Sequence, residues 1–213
     1  DYYGFNFRTM QPEVIALGPR QHGTLTSGIV AGDGTGGTVT GLAPEAKLMP
    51  LIGWGGPYAA ARVHEYALVM GADVMNMSFS IPNLGHTRGL WRLMSEHATA
   101  AGLVLVSGAG NFQRETKPVQ LRIPEGIPCV IAAGGVDRDM KIPSFVSLGP
   151  VEWGSVRFYG DYPMPKGLVK PDVCGFPNGG YPLLSSQNKG YMDPKIRIRG
   201  NSFSGPHVAG KIG

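Results

Sequence analysis

Four short segments of this chain carry apolar residues on both faces, which is the pattern of strands buried on both sides of a sheet. The segments span residues 48–52, 73–78, 103–107 and 128–133. Between them lie two longer segments of helical period, 57–70 and 86–101, and a glycine follows each one directly, as is common where a helix ends. Alternating buried strands and helices predict a doubly wound α/β fold, with a mostly parallel sheet, helices on both faces and right-handed crossovers.

The chain has the length and composition of one folded domain. Its 213 residues suffice to bury a substantial core, and 42% of its residues are hydrophobic while 16% are charged. The 33 glycines and 18 prolines indicate long loops, yet their share stays below that of disordered proteins. After Gly135 the periodicity weakens into Gly- and Pro-rich loops without a repeat or a linker. We predict a single loop-rich domain over residues 1–213, which excludes peptide hormones and disulfide miniproteins.

Charge and cysteine content argue against several partners. The net charge is +4, and the basic residues are scattered except for Lys195, Arg197 and Arg199. Their spacing puts these three on one face of an extended strand, which is typical of a solvated face, so no nucleic-acid partner is predicted. Cys129 and Cys174 lack the spacing of a zinc site or a disulfide framework, and their surroundings predict small core residues. No apolar stretch approaches the roughly 18 residues that span a bilayer, so no membrane partner is predicted.

Two familiar motifs fit this sequence poorly. Residues 32–37, GDGTGG, match the Gly-x-Gly-x-x-Gly pattern of dinucleotide-binding folds, which requires a strand before it and a helix after it. The preceding HGTLTSGIVA instead has a helical pattern, so a nucleotide-binding α/β domain stays open only as a distant alternative. The nucleophile elbow of α/β-hydrolases is also missing, because residues 200–204, GNSFS, end in Ser where that motif has Gly.

A stronger constellation is spread over three segments. His22 opens the predicted helix HGTLTSGIVA, where the positive end of the helix dipole favours a neutral imidazole that accepts a proton. Ser202 opens another helix in GNSFSGPHVAG, where unpaired backbone N–H groups suit both attack on a carbonyl and an oxyanion hole. Asn111 follows the buried strand LVLVSGAG, at the sheet edge where such folds bind ligands. Each residue alone has an ordinary explanation as a cap, a structural donor or a turn residue. The prediction that they form a functional site therefore depends on their joint occurrence.

These segments resemble those of the subtilisin-like serine proteases. HGTLTSGIVAG is similar to the family's histidine segment, GNSFSGPHVAG to its serine segment, and SGAGN to the strand end that bears its oxyanion asparagine. Further similar blocks occur in family order: GLAPEAKLMPLI, GADVMNMSFS, IPCVIAAGGVD, PSFVSLGP and KPDVCGFP. The resemblance spans the chain from about Gly4 to Gly210 and implies a subtilisin-like fold and the activity of a serine endopeptidase, a hydrolase.

The resemblance also implies roles for particular residues. Ser202 would be the nucleophile, His22 the general base and then acid, and Asn111 an oxyanion donor together with the backbone N–H of Ser202. Peptide bonds would be hydrolysed through an acyl-enzyme. The segments Ser78-Phe79-Ser80 and Gly108-Ala109-Gly110 match the two extended edges that flank the family's substrate cleft, where the substrate backbone is expected to add as a strand. Polypeptides are therefore the expected partners.

The family's third catalytic residue has no match in this sequence. An Asp is expected ahead of the histidine segment, at the end of an apolar strand, and neither Asp1 nor Glu13 stands after such a strand. We therefore expect the catalytic Asp of the triad upstream of this sequence. Because Gly213 falls within the helix that Ser202 opens, the peptidase domain is predicted to be incomplete at both ends. A protease-like scaffold that binds peptides without cutting them stays open as an alternative.

Smaller departures and the cofactor content complete the expectations. Asn201 stands where Thr is usual, and Gly205 lies in a first helical turn, where glycine costs up to about 1 kcal/mol relative to Ala. Ser204 stands where Ala is usual. No cofactor is predicted. Structural calcium stays open but is not indicated, because two loop acids, Asp137 and Asp139, are weak evidence for an ion that takes about six to eight oxygens. We expect a monomer, and the resemblance implies secretion, with an intracellular location as the alternative.

Overall fold

The computed structural model describes residues 3–12, 22–34, 40–53, 56–81, 87–113, 120–151, 153, 165, 167–179, 184–185, 190–191 and 198–213. The strands of this part of the chain are β1 (Phe5–Asn6), β2 (Leu51–Ile52), β3 (Val74–Met77), β4 (Val104–Gly108), β5 (Ile131–Gly135), β6 (Val173–Gly175), β7 (Asn178–Gly179), β8 (Leu184–Ser185), β9 (Gly190–Tyr191) and β10 (Ile198–Arg199). Its helices are α1 (His22–Ala31), α2 (Pro57–Val69), α3 (Thr87–Ala100) and α4 (Ser204–Ile212), and a 3-10 turn, Asn201–Phe203, leads into α4.

The centre of the molecule is a parallel sheet with the strand order β3-β4-β5-β6. Its register pairs Val74 with Val104 and Val106 with Ile131. A second parallel pair, β1 with β2, is not hydrogen-bonded to this sheet through the described residues. The two remaining pairs, β7 with β10 and β8 with β9, are antiparallel and short. The predicted mostly parallel α/β sheet is confirmed.

Helices cover both faces of the central sheet. On one face α2 packs against α3, and Ala67 and Trp91 join Leu105 of β4 in the main hydrophobic cluster. Val106, the next residue, is also buried but lies outside that cluster, because successive side chains of a strand point to opposite faces. The second face is covered by α4, which contacts all four strands of the sheet and α1. The serine segment is therefore packed directly on the sheet that carries the cleft-forming strand ends.

The predicted elements are confirmed, although several ends are shifted. Gly71 follows α2 and Gly102 follows α3, with φ angles of 75° and 101° that glycine adopts without strain. The segment predicted at 48–52 forms a strand only at its last two residues, which are half-buried, and Leu48 is exposed, so the prediction of a strand buried on both faces is wrong there. The strand predicted at 128–133 begins later than expected. This strand starts late because Pro128 has no N–H to donate, and the Val130 N–H donates to the Ile127 carbonyl oxygen in a turn at 3.1 Å.

The prediction that both cysteines are core residues is wrong for Cys174. This residue lies in β6, which pairs only with β5 within the described residues, so the side chain is exposed at a sheet edge. Cys129 is half-buried and packs against the main cluster. Both thiols are free.

The structure bears on the sequence segments that were considered for binding a nucleotide, a nucleic acid or a membrane. GDGTGG follows helix α1 rather than a strand, so the context that a dinucleotide-binding loop needs is absent, and residues 35–39 lie outside the described residues. Lys195 and Arg197 also lie outside them, while the Arg199 guanidinium stacks 4.3 Å over the ring of Phe145. No helix in the described part of the chain is both long and apolar enough to cross a membrane.

Candidate active site

A cleft of about 140 Å³ opens at the carboxyl ends of β3 and β4. It is lined by Ser78, Phe79, Ser80, Gly108, Gly110, Asn111, Phe112 and Ser202. We call residues 78–80 the first edge and residues 108–110 the second edge. The carboxyl ends of neighbouring parallel strands are where doubly wound folds bind ligands, so the cleft lies where the topology predicts a functional site.

Ser202 is held at the cleft by the close approach of its turn to β4. A Cβ atom at Gly108 would lie 2.2 Å from the Asn201 carbonyl oxygen, so only glycine lets the turn lie against the strand end. Gly200 precedes the turn with a φ of 148°, which also favours glycine. The Ser78 hydroxyl donates a 2.8 Å hydrogen bond to the Ser202 carbonyl oxygen. The prediction that Ser202 opens a helix is confirmed, since its turn leads directly into α4.

The side-chain amide of Asn111 has a fixed orientation. Its Oδ1 accepts a 2.7 Å hydrogen bond from the Asn201 N–H, which leaves Nδ2 as a donor at the cleft. The Asn201 side chain is fully buried and donates from Nδ2 to the Gly110 carbonyl oxygen at 2.7 Å. Asn201 thus ties the serine turn to Asn111 through its backbone and to the second edge through its side chain.

His22 begins α1 beside the serine turn, but no hydrogen bond joins it to Ser202 among the described contacts. Its ring centroid lies 5.7 Å from that of Phe203. Although the residue keeps an exposed part, its partial burial desolvates the imidazole and lowers its pKa below the ordinary 6.5. The neutral form predicted from the helix dipole is therefore favoured through burial. Within the described residues no carboxylate is hydrogen-bonded to His22, and Asp1 and Glu13 lie outside them.

The structure brings most of the predicted substrate-binding residues to the cleft. Ser78, Phe79 and Ser80 line it from the first edge, and Gly108 and Gly110 line it from the second. The remaining residue of the second edge, Ala109, does not line it. The Ala109 side chain is fully buried in the main hydrophobic cluster, and its N–H donates to the neighbouring strand β5. Its methyl group therefore packs in the core.

Phe112 lines the cleft and was missed by the sequence analysis. Its N–H donates to the Ser147 hydroxyl at 2.9 Å, and the Arg122 guanidinium carbon lies 3.4 Å from its ring centroid. A cation stacked on one face of the ring fixes that ring as a wall of the cleft. The available signal was its position, because Phe112 directly follows Asn111, the candidate residue that comes after a buried strand.

A second missed residue, Glu125, lies fully buried behind the cleft. Its Oε1 accepts hydrogen bonds from the Ser80 hydroxyl and, at 3.1 Å, from the Arg122 N–H. Burial raises the pKa of Glu125 to about 7, against the opposing effects of the Ser80 hydrogen bond and the Arg122 charge. The signal in the sequence was a single acid within the apolar run IPEGIP.

The loop acids considered for calcium form a turn. Asp137 Oδ1 accepts hydrogen bonds from the backbone N–H groups of Asp139, at 3.0 Å, and Lys141, at 2.8 Å. No cluster of three or more His, Cys, Asp or Glu side chains in the described ranges is arranged to hold a metal ion. The Asp137 carboxylate thus organises its own loop.

Comparisons with known proteins identify the family of this chain. The sequence profile of the Subtilase family matches residues 7–213. Subtilisin DY from Bacillus licheniformis is 34% identical over 202 residues, which cover 85% of this chain and 72% of that protein. Subtilisin-like protease SBT6.1 from Arabidopsis thaliana is 27% identical over 205 residues, covering 90% of this chain but only 17% of its own. The solved structure of the prenylagaramide maturation protease PagA, 19% identical, matches the fold with a TM-score of 0.68 over 98% of this chain and 65% of that one.

Proposed function

Because the chain belongs to the subtilase family, we propose that this protein is a serine endopeptidase. One observation carries the proposal: Ser202 and Asn111, which come from distant segments, line the same cleft, and Asn201 orients the Asn111 amide there. A nucleophile and an oxyanion donor side by side are the groups that acyl transfer to a serine requires.

The proposed reaction begins with attack of Ser202 Oγ on the carbonyl carbon of the scissile bond while the His22 imidazole takes the hydroxyl proton. The tetrahedral intermediate collapses as its C–N bond breaks, and His22 passes the proton to the leaving amine. Water then attacks the ester with His22 again as base, which releases the acid and restores the Ser202 hydroxyl. The lowered pKa of His22 supports this role, since a base must be neutral before it takes a proton.

The oxyanion of each tetrahedral intermediate accepts hydrogen bonds from Asn111 Nδ2 and the Ser202 N–H in this proposal. The 2.7 Å hydrogen bond from the Asn201 N–H to Asn111 Oδ1 supports it, because the amide is oriented before the charge develops. A donor that needs no reorientation stabilises the transition state more than one that must turn.

The substrate is proposed to be a polypeptide that adds as a strand between the first and second edges. The position of both edges along the cleft supports this mode, in which main-chain hydrogen bonds give affinity and a side chain enters the cleft between the edges. The Asp that orients His22 is proposed to lie upstream of this sequence, as family order implies. The monomeric state and secretion stay predictions, which size-exclusion chromatography and fractionation of the culture would check.

The proposal is tested by labelling the full-length protein with an organophosphonate probe for activated serines. We expect the label on Ser202 and none in Ser202→Ala, because only an activated hydroxyl attacks the probe. Ser204→Ala is a matched control two residues away, since Ser204 is buried and outside the cleft, and this variant should keep its label. Labelling of another serine, or undiminished labelling of Ser202→Ala, would contradict the assignment.

The alternative function is a scaffold that binds peptides without cutting them. It is favoured by one observation, that His22 is hydrogen-bonded neither to Ser202 nor to a carboxylate within the described residues. A full-length protein that binds peptides but resists the probe and shows no amide turnover would decide for this alternative.

A further inference from the structure

One buried carboxyl group contacts both edges of the cleft. Glu125 is 0% exposed, and its Oε1 accepts hydrogen bonds from the Ser80 hydroxyl of the first edge and from the Arg122 N–H. On the second edge, a Cβ atom at Gly110 would lie 3.1 Å from the same Oε1. The carboxyl group therefore lies directly behind Gly110 and is hydrogen-bonded to Ser80.

The backbone beside Glu125 is connected to the first edge, and a separate segment holds the second edge. The Ile81 N–H, next to the first edge, donates to the Ile123 carbonyl oxygen at 2.7 Å. On the second edge, the Gly110 carbonyl oxygen accepts a 3.0 Å hydrogen bond from the Ser147 N–H. These backbone hydrogen bonds hold the two edges from different segments, whereas the Glu125 carboxyl group lies against both edges.

The carboxyl group is costly to keep in this position. Glu125 Oε2 has no hydrogen-bond partner in the described part of the chain, and a buried polar atom without a partner is destabilising. The charged side chain that acts on the carboxyl group is Arg122, whose guanidinium stacks on Phe112, while the two edges contribute only hydroxyl, apolar and backbone groups. An acid retained at this cost, against both edges of a cleft, indicates a role in that cleft.

We propose that Glu125 is a positioning residue whose protonation state sets how firmly the two edges are held together and so how tightly a peptide binds. The ionised carboxylate forms charge-assisted hydrogen bonds to Ser80 and to the Arg122 N–H, which are shorter and stronger than neutral ones. Edges that are already fixed lose less conformational entropy when a peptide adds between them. Since the pKa of Glu125 is about 7, peptide affinity rises as the pH passes through that value. The inference rests on the proposed function only in taking the cleft to bind peptides.

Binding is measured in the full-length protein with Ser202→Ala, so that no peptide is cleaved. The anisotropy of a fluorescein-labelled peptide is followed from about pH 5.5 to 8.5, and we expect affinity to rise roughly three- to tenfold across this range. Glu125→Gln keeps an acceptor for Ser80 but cannot ionise, so it should hold the low-pH affinity throughout. Glu65→Gln, on exposed surface of α2, is the matched control and should keep the rising profile. Because His22 is present in all three proteins, its titration does not account for a difference between them.

Two further variants keep the test decisive. Ser80→Ala removes the hydrogen bond that stabilises the charged form, so the midpoint of the affinity profile should move to higher pH, even if Glu125→Gln fails to fold. Combined with Glu125→Gln, its effect should be non-additive, since both changes remove the same interaction. A rising profile that persists in Glu125→Gln, or affinity that is independent of pH before that change, overturns the proposal.

Failure of the proposed function gives a different result. If no peptide binds at any pH, the cleft is not a peptide site, and hydrogen exchange then tests the positioning role alone. After correction for the intrinsic exchange rate, amides of residues 78–81 and 108–112 should be better protected above about pH 7 than below it, and this difference should vanish in Glu125→Gln. Equal protection in both proteins overturns the proposal.

Discussion

Asn201 is the residue that does most to shape the candidate site. Its N–H donates a hydrogen bond to Asn111 Oδ1, and its side-chain Nδ2 donates one to the Gly110 carbonyl oxygen. Its Oδ1 accepts a 3.3 Å hydrogen bond from the Ser204 hydroxyl. A Thr, which is usual at this position in the family, has no amide to span these groups. The departures at positions 201 and 204 are therefore linked, because the two side chains bond to each other.

The role of Asn111 can be tested by a change in rate. In the proposed mechanism, Asn111→Leu removes a donor that contacts the substrate only once the carbonyl oxygen has become an oxyanion, so kcat should fall while KM stays nearly constant. Losing one such donor costs about 10²- to 10³-fold in subtilisin, a member of the same family, and we expect a loss of that order in the full-length enzyme. Steady-state kinetics on a peptide amide measure it, with Gln113→Leu, outside the cleft, as control. A variant with raised KM and unchanged kcat would assign Asn111 to ground-state binding.

Among the elements, α4 depends on glycine for its distance from the sheet. A Cβ atom at Gly205 would lie 2.9 Å from Asn76 Oδ1 and 3.1 Å from the Gly108 N atom. The helix propensity lost at Gly205 is therefore offset by a close approach that alanine would prevent without local movement. This approach brings the serine turn against the end of β4.

The packing of the serine turn on β4 predicts the effect of Gly108→Ala. The new methyl group would meet the Asn201 carbonyl oxygen at 2.2 Å, so the turn and strand must separate. We expect a loss of about 1–3 kcal/mol in the free energy of unfolding. Turnover should fall by about 10²-fold, because a displacement of roughly 1 Å misplaces the nucleophile. Urea unfolding and peptide turnover measure both, and Gly23→Ala, with nothing within 4 Å of its new Cβ, is the control for stability. Unchanged turnover in Gly108→Ala would contradict this account of the turn.

The helices, the strands and the candidate nucleophile could be predicted from the sequence, but the contacts between distant segments could not. The apolar runs predict β3 and β4 because burial on both faces favours apolar residues. Gly71 and Gly102 indicate helix ends because each adopts a positive φ there. Burial of Glu125 and exposure of Cys174 depend on which segment packs against them, and no local pattern encodes that. For this reason Phe112 and Glu125 were missed, while the two edges were predicted from the family resemblance.

Across the described part of the molecule, buried and partly buried titratable groups act on stability in opposite directions. Burial lowers the pKa of His22, His64 and His207 below 6.5, so each contributes stability above its unfolded pKa that is lost as the pH falls through the folded pKa. Glu125 has a folded pKa of about 7 against an ordinary value of 4.5, so it contributes stability below 4.5 that is lost as the pH rises through 7. As the pH rises from about 4.5 to 7, the histidines therefore raise the free energy of unfolding while Glu125 lowers it.

Removing the ionisable group at Glu125 should therefore change the pH dependence of the whole fold. Relative to the unaltered protein, Glu125→Gln should have nearly the same free energy of unfolding at about pH 4 and a larger one at about pH 8, by up to about 3 kcal/mol. Urea unfolding at several pH values measures this, and Glu65→Gln should show no such trend. A difference that is constant with pH would assign the effect to packing rather than to charge. If Glu125→Gln is more stable than the unaltered protein at high pH but binds peptide more weakly, then the ionised carboxylate lowers the stability of the fold while it holds the two edges in place. Functional sites commonly show this opposition between stability and function.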